Sequence, residues 1–121
     1  MPRSMQLVAT AGLGHTATPE IVHPDGTQSP FLIPAGSVFI ATDLSIQRTG
    51  VTADPGLFNV SLRQNPPAIS QIRWAFVGEL SHNFERSLTS GIVFSAPFFI
   101  ENGSQSADVV AVRLWGYLET L

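Results

Sequence analysis

The chain carries three histidines, His15, His23 and His82, and no cysteine. A metal site built on strands needs two histidines close together on one strand, a following glutamate and a further histidine on a later strand, and that spacing is absent. The histidines therefore read as surface-loop residues. Only a His15 and His23 pair, brought together from several copies around a trimer axis, would collect enough imidazoles for an ion. Glu79 and Glu85 flank "LSHNF" and are the nearest approach to an acid/base pair for glycoside hydrolysis. Such a pair must face across a cleft of ~5 to 9 Å, which proximity in sequence does not establish, so both are taken as solvated loop carboxylates. Serines are plentiful without a Gly-x-Ser-x-Gly elbow. "GLG" at residues 12–14 lacks the third glycine and the strand-to-helix context of a phosphate loop. "NVS" at Asn59 and "NGS" at Asn102 match the glycosylation sequon in a chain with no recognisable secretion signal. No catalytic residue, cofactor or metal is expected from these residues, and the chain reads as non-enzymatic.

Aromatic side chains carry more information. In "ADVVAVRLWGYLETL", Ala107 to Leu121, strand alternation puts Val110, Val112, Leu114 and Leu118 on one face and Arg113, Trp115 and Tyr117 on the other. The first set is a complete apolar face, so the second needs another reason for its aromatics. Burying a Trp or Tyr removes ~150 to 250 Å² from water, worth at most about 4 to 6 kcal/mol each. Three covers would supply that burial: a central strand enclosed within its own domain, a subunit interface at Arg113, Trp115 and Tyr117, or a sugar stacked on the rings. Trp74 shares its face with Ile72 and Phe76 and is assigned to the core.

Composition bounds the alternatives. A chain of 121 residues is one domain by size. Six basic against nine acidic residues, net -3, leave no basic stripe to track phosphates, so nucleic acid is not an expected partner. Every basic residue is arginine. Charged residues make up 12% of the chain, against about 25% in an average soluble domain. Such a chain is short of polar surface, and self-assembly or docking on something larger would relieve the shortage. No segment approaches the ~20 apolar residues of a membrane span, and the first residues lack a secretory apolar run. The expectation is a protein made in the cytoplasm, with no membrane partner.

The elements that position these residues read as short strands. Nine prolines and ten glycines leave little room for a long helix. After the Pro-Ala-Gly turn, Val38, Ile40, Leu44 and Ile46 fall at even spacing with Thr42 among them, a half-buried strand. "GLFNVSLRQ" alternates Phe58, Val60 and Leu62 with Asn59, Ser61 and Arg63. "QIRWAFVG" alternates likewise, and "SGIVFSAPFFIENG" gives two short strands ending in an Asn-Gly turn signal. "LSHNFERSL" is the one plausible helical piece, about two turns, or else a loop. With strands in "MQLVAT" and "EIVHP" the count reaches about eight, as in a jelly roll. The expected fold is an all-β antiparallel β-sandwich, a jelly roll with little or no helix. Residues 1–20, rich in Ala, Gly and Thr, are read as an arm that orders against a partner through Met5, Leu7 and Leu13, and residues 21–121 as the sandwich domain.

The pattern "IPAGSVFIATDLSI", then "GIVFSAPFFIENG", then "VAVRLWGYLE" resembles the single jelly-roll domains, similar to the tumour necrosis factor and complement C1q fold, of virion proteins of tailed bacteriophages. The last strand there carries a Gly-Tyr-Leu-type ending, matched by Gly116, Tyr117 and Leu118. The likeness spans roughly residues 30 to 120. It implies a homotrimer with aromatic residues about the three-fold axis, and so a trimer-contact role for Arg113, Trp115 and Tyr117. It further implies a head decoration or cement protein, located in the virion, whose partner is the major capsid protein or another virion protein. The second expectation is a carbohydrate- or receptor-binding module, a tail-fibre tip or lectin-like domain, using Trp115, Tyr117 and loop residues around Asn83 and Asn102.

Overall fold

The computed structural model describes residues 5–12, 15–48, 56–64, 71–80, 83–95, 97–103 and 109–121. Among them the alternating patterns resolve into ten strands: β1 (Met5–Ala11), β2 (Thr16–Ala17), β3 (Glu20–Val22), β4 (Gln28–Pro30), β5 (Ser37–Arg48), β6 (Gly56–Gln64), β7 (Gln71–Leu80), β8 (Asn83–Phe94), β9 (Phe98–Asn102) and β10 (Val110–Thr120). The described residues contain no helix. β1 pairs with β10, β2 with β9, β5 with β8 and β6 with β7, every pair antiparallel. These pairs nest as though one long hairpin had been rolled up, which is the jelly-roll connectivity. The two sheets run β4-β3-β1-β10-β5-β8 and β2-β9-β6-β7. The eight nested strands are the expected sandwich; the β3–β4 hairpin extends the larger sheet beyond β1.

Three expectations are corrected. "LSHNFERSL" is neither helix nor loop from Asn83 onward, because β8 begins there and pairs with β5 from Gln47↔Asn83 to Phe39↔Phe94. The short aromatic and charged alternation of Phe84, Glu85 and Arg86 fits a sheet edge, and tertiary pairing overrides a weak helical period. The N-terminal arm is also not an arm where it is described. β1 is hydrogen-bonded to β10 along its whole length, from Met5↔Gly116 to Ala11↔Val110, and to β3 on its other side. Leu7 is fully buried in the core, so it is not free to dock on a capsid; Met5 is half-buried against the same core, and Leu13 lies outside the described residues. Last, the even-numbered face assigned to β5 does not run unbroken. The register slips between Ala41 and Asp43, so Phe39 and Ala41 face the core before Thr42 and Leu44 and Ile46 face it after. Val38 and Ile40 consequently fall on the opposite face, which is how a β-bulge re-aims a strand.

Between the sheets, Phe39 of β5, Phe94 of β8 and Phe98 of β9 stack with ring centroids 4.0 to 6.5 Å apart. Phe31, from the loop before β5, meets Phe39 edge-on at 5.5 Å. Such pairs contribute about 0.5 to 1.5 kcal/mol each beyond their area burial, and this set joins both sheets and the loop. At the other end Asn102, fully buried, donates from Nδ2 to the Ala11 carbonyl at 3.0 Å, while its backbone N–H donates to the His15 carbonyl at 3.0 Å. That side chain ties β9 to the end of β1 and supplies a polar partner that the core would otherwise lack.

Gly116 sits at the slip in the β10–β5 register between Trp115 and Gly116. A Cβ there would overlap the Ile40 carbonyl oxygen and come within 2.9 Å of Phe39 Cζ. The requirement is for space, because the backbone of β5 crosses where a side chain would stand. Gly116→Ala is expected to cost about 3 kcal/mol, at the upper end of overpacking penalties, read as a lower urea midpoint. Asn102→Ala leaves the Ala11 carbonyl buried without that donor and is expected to cost about 1 to 3 kcal/mol, with the midpoint lowered and the denaturant slope unchanged.

Candidate functional site

The site grows from the position of β10. It lies between β1 and β5 in the larger sheet, and its inward residues Val110, Val112 and Leu114 are all buried. Arg113, Trp115 and Tyr117 then point away from the smaller sheet, and among the described residues no other element covers that face. The reading of the two faces is correct; Arg113 is exposed and Trp115 and Tyr117 are half-buried.

Cross-strand register fills in their neighbours. One row runs Glu20, Val8, Arg113, Ser45, Glu85; the next runs Val22, Gln6, Trp115, Asp43, Ser87. Further along, Tyr117 stands beside Ile40, and Ile40 beside Val93. Val93 is 38% exposed, so this third row is an apolar strip open to solvent. Ile40 and Val93 were hidden from the sequence by the bulge in β5, because unbroken alternation sends Ile40 to the core.

Trp115 borders two grooves. One, of about 450 Å³, is lined by Trp115, Asp43, Glu85, Arg86 and Ser87. The other, of about 560 Å³, is lined by Trp115 with Met5, Gln6, Val22 and His23. Thr42 supports the boundary: its hydroxyl lies 3.2 Å from the Trp115 carbonyl and 3.0 Å from Asp43 Oδ2, and its one proton serves either acceptor. Arg86 is held with its guanidinium 5.7 Å from the Phe84 ring centroid, a cation–π contact that fixes the edge of the first groove. Chemically the face offers an aromatic surface, an apolar strip, and carboxylates and a guanidinium at its margins.

The β3–β4 hairpin walls the second groove. His23 Nε2 and Ser29 Oγ are hydrogen-bonded at 2.7 Å across it, and Asp25 accepts from the Thr27 backbone N–H at 3.0 Å and from the Thr27 hydroxyl at 2.6 Å. These two hydrogen bonds hold the exposed Asp25 carboxyl below the ordinary carboxylate range. A Ser–His contact invites comparison with a nucleophile and base, but no described carboxylate bonds the ring, and the pair works as a latch on the turn. Sequence spacing did not show it, since it exists only in the hairpin register.

The remaining candidates disperse. His15 is exposed beside β2, His23 is in the hairpin and His82 lies outside the described residues. No three His, Asp or Glu side chains cluster among the described residues. Glu79 and Glu85 are on strands β7 and β8, not on a loop. Asn102 is buried in the core, so it is neither a loop contact for sugars nor an open glycan acceptor. Asn83 opens β8. Trp74 is half-buried, packed against the core and 6.3 Å from the Phe84 ring.

No family model and no curated protein matches the chain. Among solved structures it is similar to a chain of the empty virus-like particle of cowpea mosaic virus, with a TM-score of 0.46 at 13% identity, covering 99% of this chain and 76% of that one. It is also similar to a chain of the cowpea mosaic virus top component, naturally occurring empty particles, with a TM-score of 0.41 at 18% identity, covering 99% and 82%. A CBM4 structure gives a TM-score of 0.35 at 12% identity, covering 96% and 84%. The jelly roll itself is established by the nested strand pairs of this chain.

Proposed function

We propose that this chain is a non-enzymatic virion structural protein, a homotrimeric decoration or cement protein of a phage head, whose subunits meet through the outward face of the larger sheet. The observation that carries the reading is the row of Trp115 and Tyr117, with Ile40 and Val93, on a face that no described element covers. A chain with 12% charged residues gains by covering that face with its own copies. Arg113 then contributes a planar, weakly hydrated cation suited to an interface. The capsid-binding role follows as multivalency: each trimer presents several copies of one weak patch, and together they hold neighbouring capsid subunits firmly.

Sub-micromolar light scattering tests the assembly. The wild-type chain is expected at about three chain masses, and Trp115→Ala is expected to dissociate it, since interface tryptophans are commonly worth 2 kcal/mol or more, roughly thirtyfold in affinity. A monomeric wild type, or a trimer indifferent to the substitution, removes the face as the subunit contact.

The two grooves favour a second reading, a carbohydrate-binding module in which a sugar stacks on Trp115 and hydrogen-bonds to Asp43, Glu85 or Gln6 at the margins. A glycan screen separates the two. Saturable binding of one sugar class, lost in Trp115→Ala, establishes the module; binding to none of the sugars leaves the face to subunits.

A further inference from the structure

The four asparagines of the chain are followed by Val60, Pro66, Phe84 and Gly103. Only Asn102 has a neighbour without a β-carbon, and this bears on a reaction the chain undergoes with itself. In that reaction the backbone nitrogen of the following residue attacks the asparagine side-chain carbonyl carbon, an approach that a β-carbon obstructs and a glycine leaves open. The step needs water and a base, nothing more. The Gly103 amide gives up its proton, its nitrogen bonds to Asn102 Cγ, and the Cγ–Nδ2 bond breaks, so that the side-chain nitrogen leaves as ammonia with a proton taken from solvent. Water then opens the five-membered imide. Breaking its bond from nitrogen to Cγ leaves an aspartate; breaking its bond from nitrogen to the backbone carbonyl carbon leaves an isoaspartate, with the chain running through Cβ.

The fold closes every part of this route. Asn102 is fully buried at the end of β9, opposite Val60 of β6. Its Nδ2 donates to the Ala11 carbonyl and its backbone N–H to the His15 carbonyl, each at 3.0 Å. The Gly103 N–H, whose proton must leave, donates to the Asn59 carbonyl at 2.8 Å. Ring closure requires that hydrogen bond to break, the extended backbone of Asn102 to turn out of the strand, and water to reach a buried amide. Neither product fits the place it would leave. The aspartate sets a carboxylate oxygen where Nδ2 stood, against the Ala11 carbonyl oxygen, one acceptor facing another away from water. The isoaspartate adds a backbone carbon between two adjacent contacts with β6, the Val60 pairing and the Gly103–Asn59 hydrogen bond, and their spacing no longer matches.

We propose that Asn102–Gly103 is a spontaneous deamidation site that folding closes, and that deamidation there bars the chain from returning to the fold. Time spent unfolded is thereby recorded as a covalent change at one peptide unit, and unfolding becomes irreversible by chemistry. The site uses neither Trp115 nor Tyr117, so it is independent of what covers the outer face.

Timed incubation of the wild-type chain tests it. The protein is held at mildly alkaline pH with and without guanidinium chloride, and peptides containing Asn102 are followed by mass spectrometry. Deamidation is expected to be more than about a hundredfold slower in the folded chain, where attack is confined to brief openings of this end of the sandwich. On dilution from denaturant, the fraction recovering the native near-ultraviolet circular dichroism is expected to fall in step with the fraction deamidated. Gly103→Ala is the second arm. A β-carbon there would lie 3.6 Å from the Asn59 carbonyl oxygen, an ordinary contact that the fold accommodates. Unfolded, this variant is expected to deamidate about tenfold more slowly than wild type, and to keep its capacity to refold for correspondingly longer. Equal deamidation rates in folded and unfolded protein, deamidated chains that refold to wild-type stability, or a Gly103→Ala chain that loses refolding as fast as wild type would each overturn the proposal.

Discussion

The structure depends on β10 lying in the middle of the larger sheet, hydrogen-bonded to β1 on one side and β5 on the other. This closes the roll, because the last strand is sealed between the first and a middle one. It also divides the strand's side chains between two environments. Val110, Val112 and Leu114 complete the core, and Arg113, Trp115 and Tyr117 become the centre of an outer face. Fold and candidate site are thus two sides of one strand, and the backbone crossing at Gly116 and Ile40 holds them in register.

Bulges decide what surrounds that strand. The slip in β5 at Thr42 turns Ile40 outward beside Tyr117 while keeping Phe39 in the aromatic stack. Without it, Ile40 would face the core and Phe39 would face outward. The same local irregularity brings the Thr42 hydroxyl to the Trp115 carbonyl. A bulge costs one unpaired residue in the ladder, and here it redistributes the apolar side chains of β5 between the two faces of the sheet.

The outer face and the β7 edge are open in different ways. Among the described residues no third layer lies on the face, so the half-buried aromatic side chains there gain further burial from whatever is laid over them. Among the described residues β7 is the last strand of the smaller sheet, and the backbone groups on its outer side pair with no described strand. Face contacts are carried by side-chain area and edge contacts by backbone hydrogen bonds.

Alternation of side chains along "VAVRLWGYLE" and "GLFNVSLRQ" determined the strand class, the buried set on β6 and β10, and the two faces of the last strand, because strand period is a local property that each segment carries by itself. The same local reasoning failed where pairing decides the outcome. Residues 5–11 look like a detachable arm until β10 and β3 are found on either side of them, and "NFERSL" has no fixed local preference until β5 pairs with it. The grooves beside Trp115, the His23–Ser29 latch and the buried Asn102 are assembled from residues distant in sequence. Only the tertiary structure decided these, because a bulge shifts every later side chain by one face and cross-strand neighbours are set by register rather than by sequence spacing.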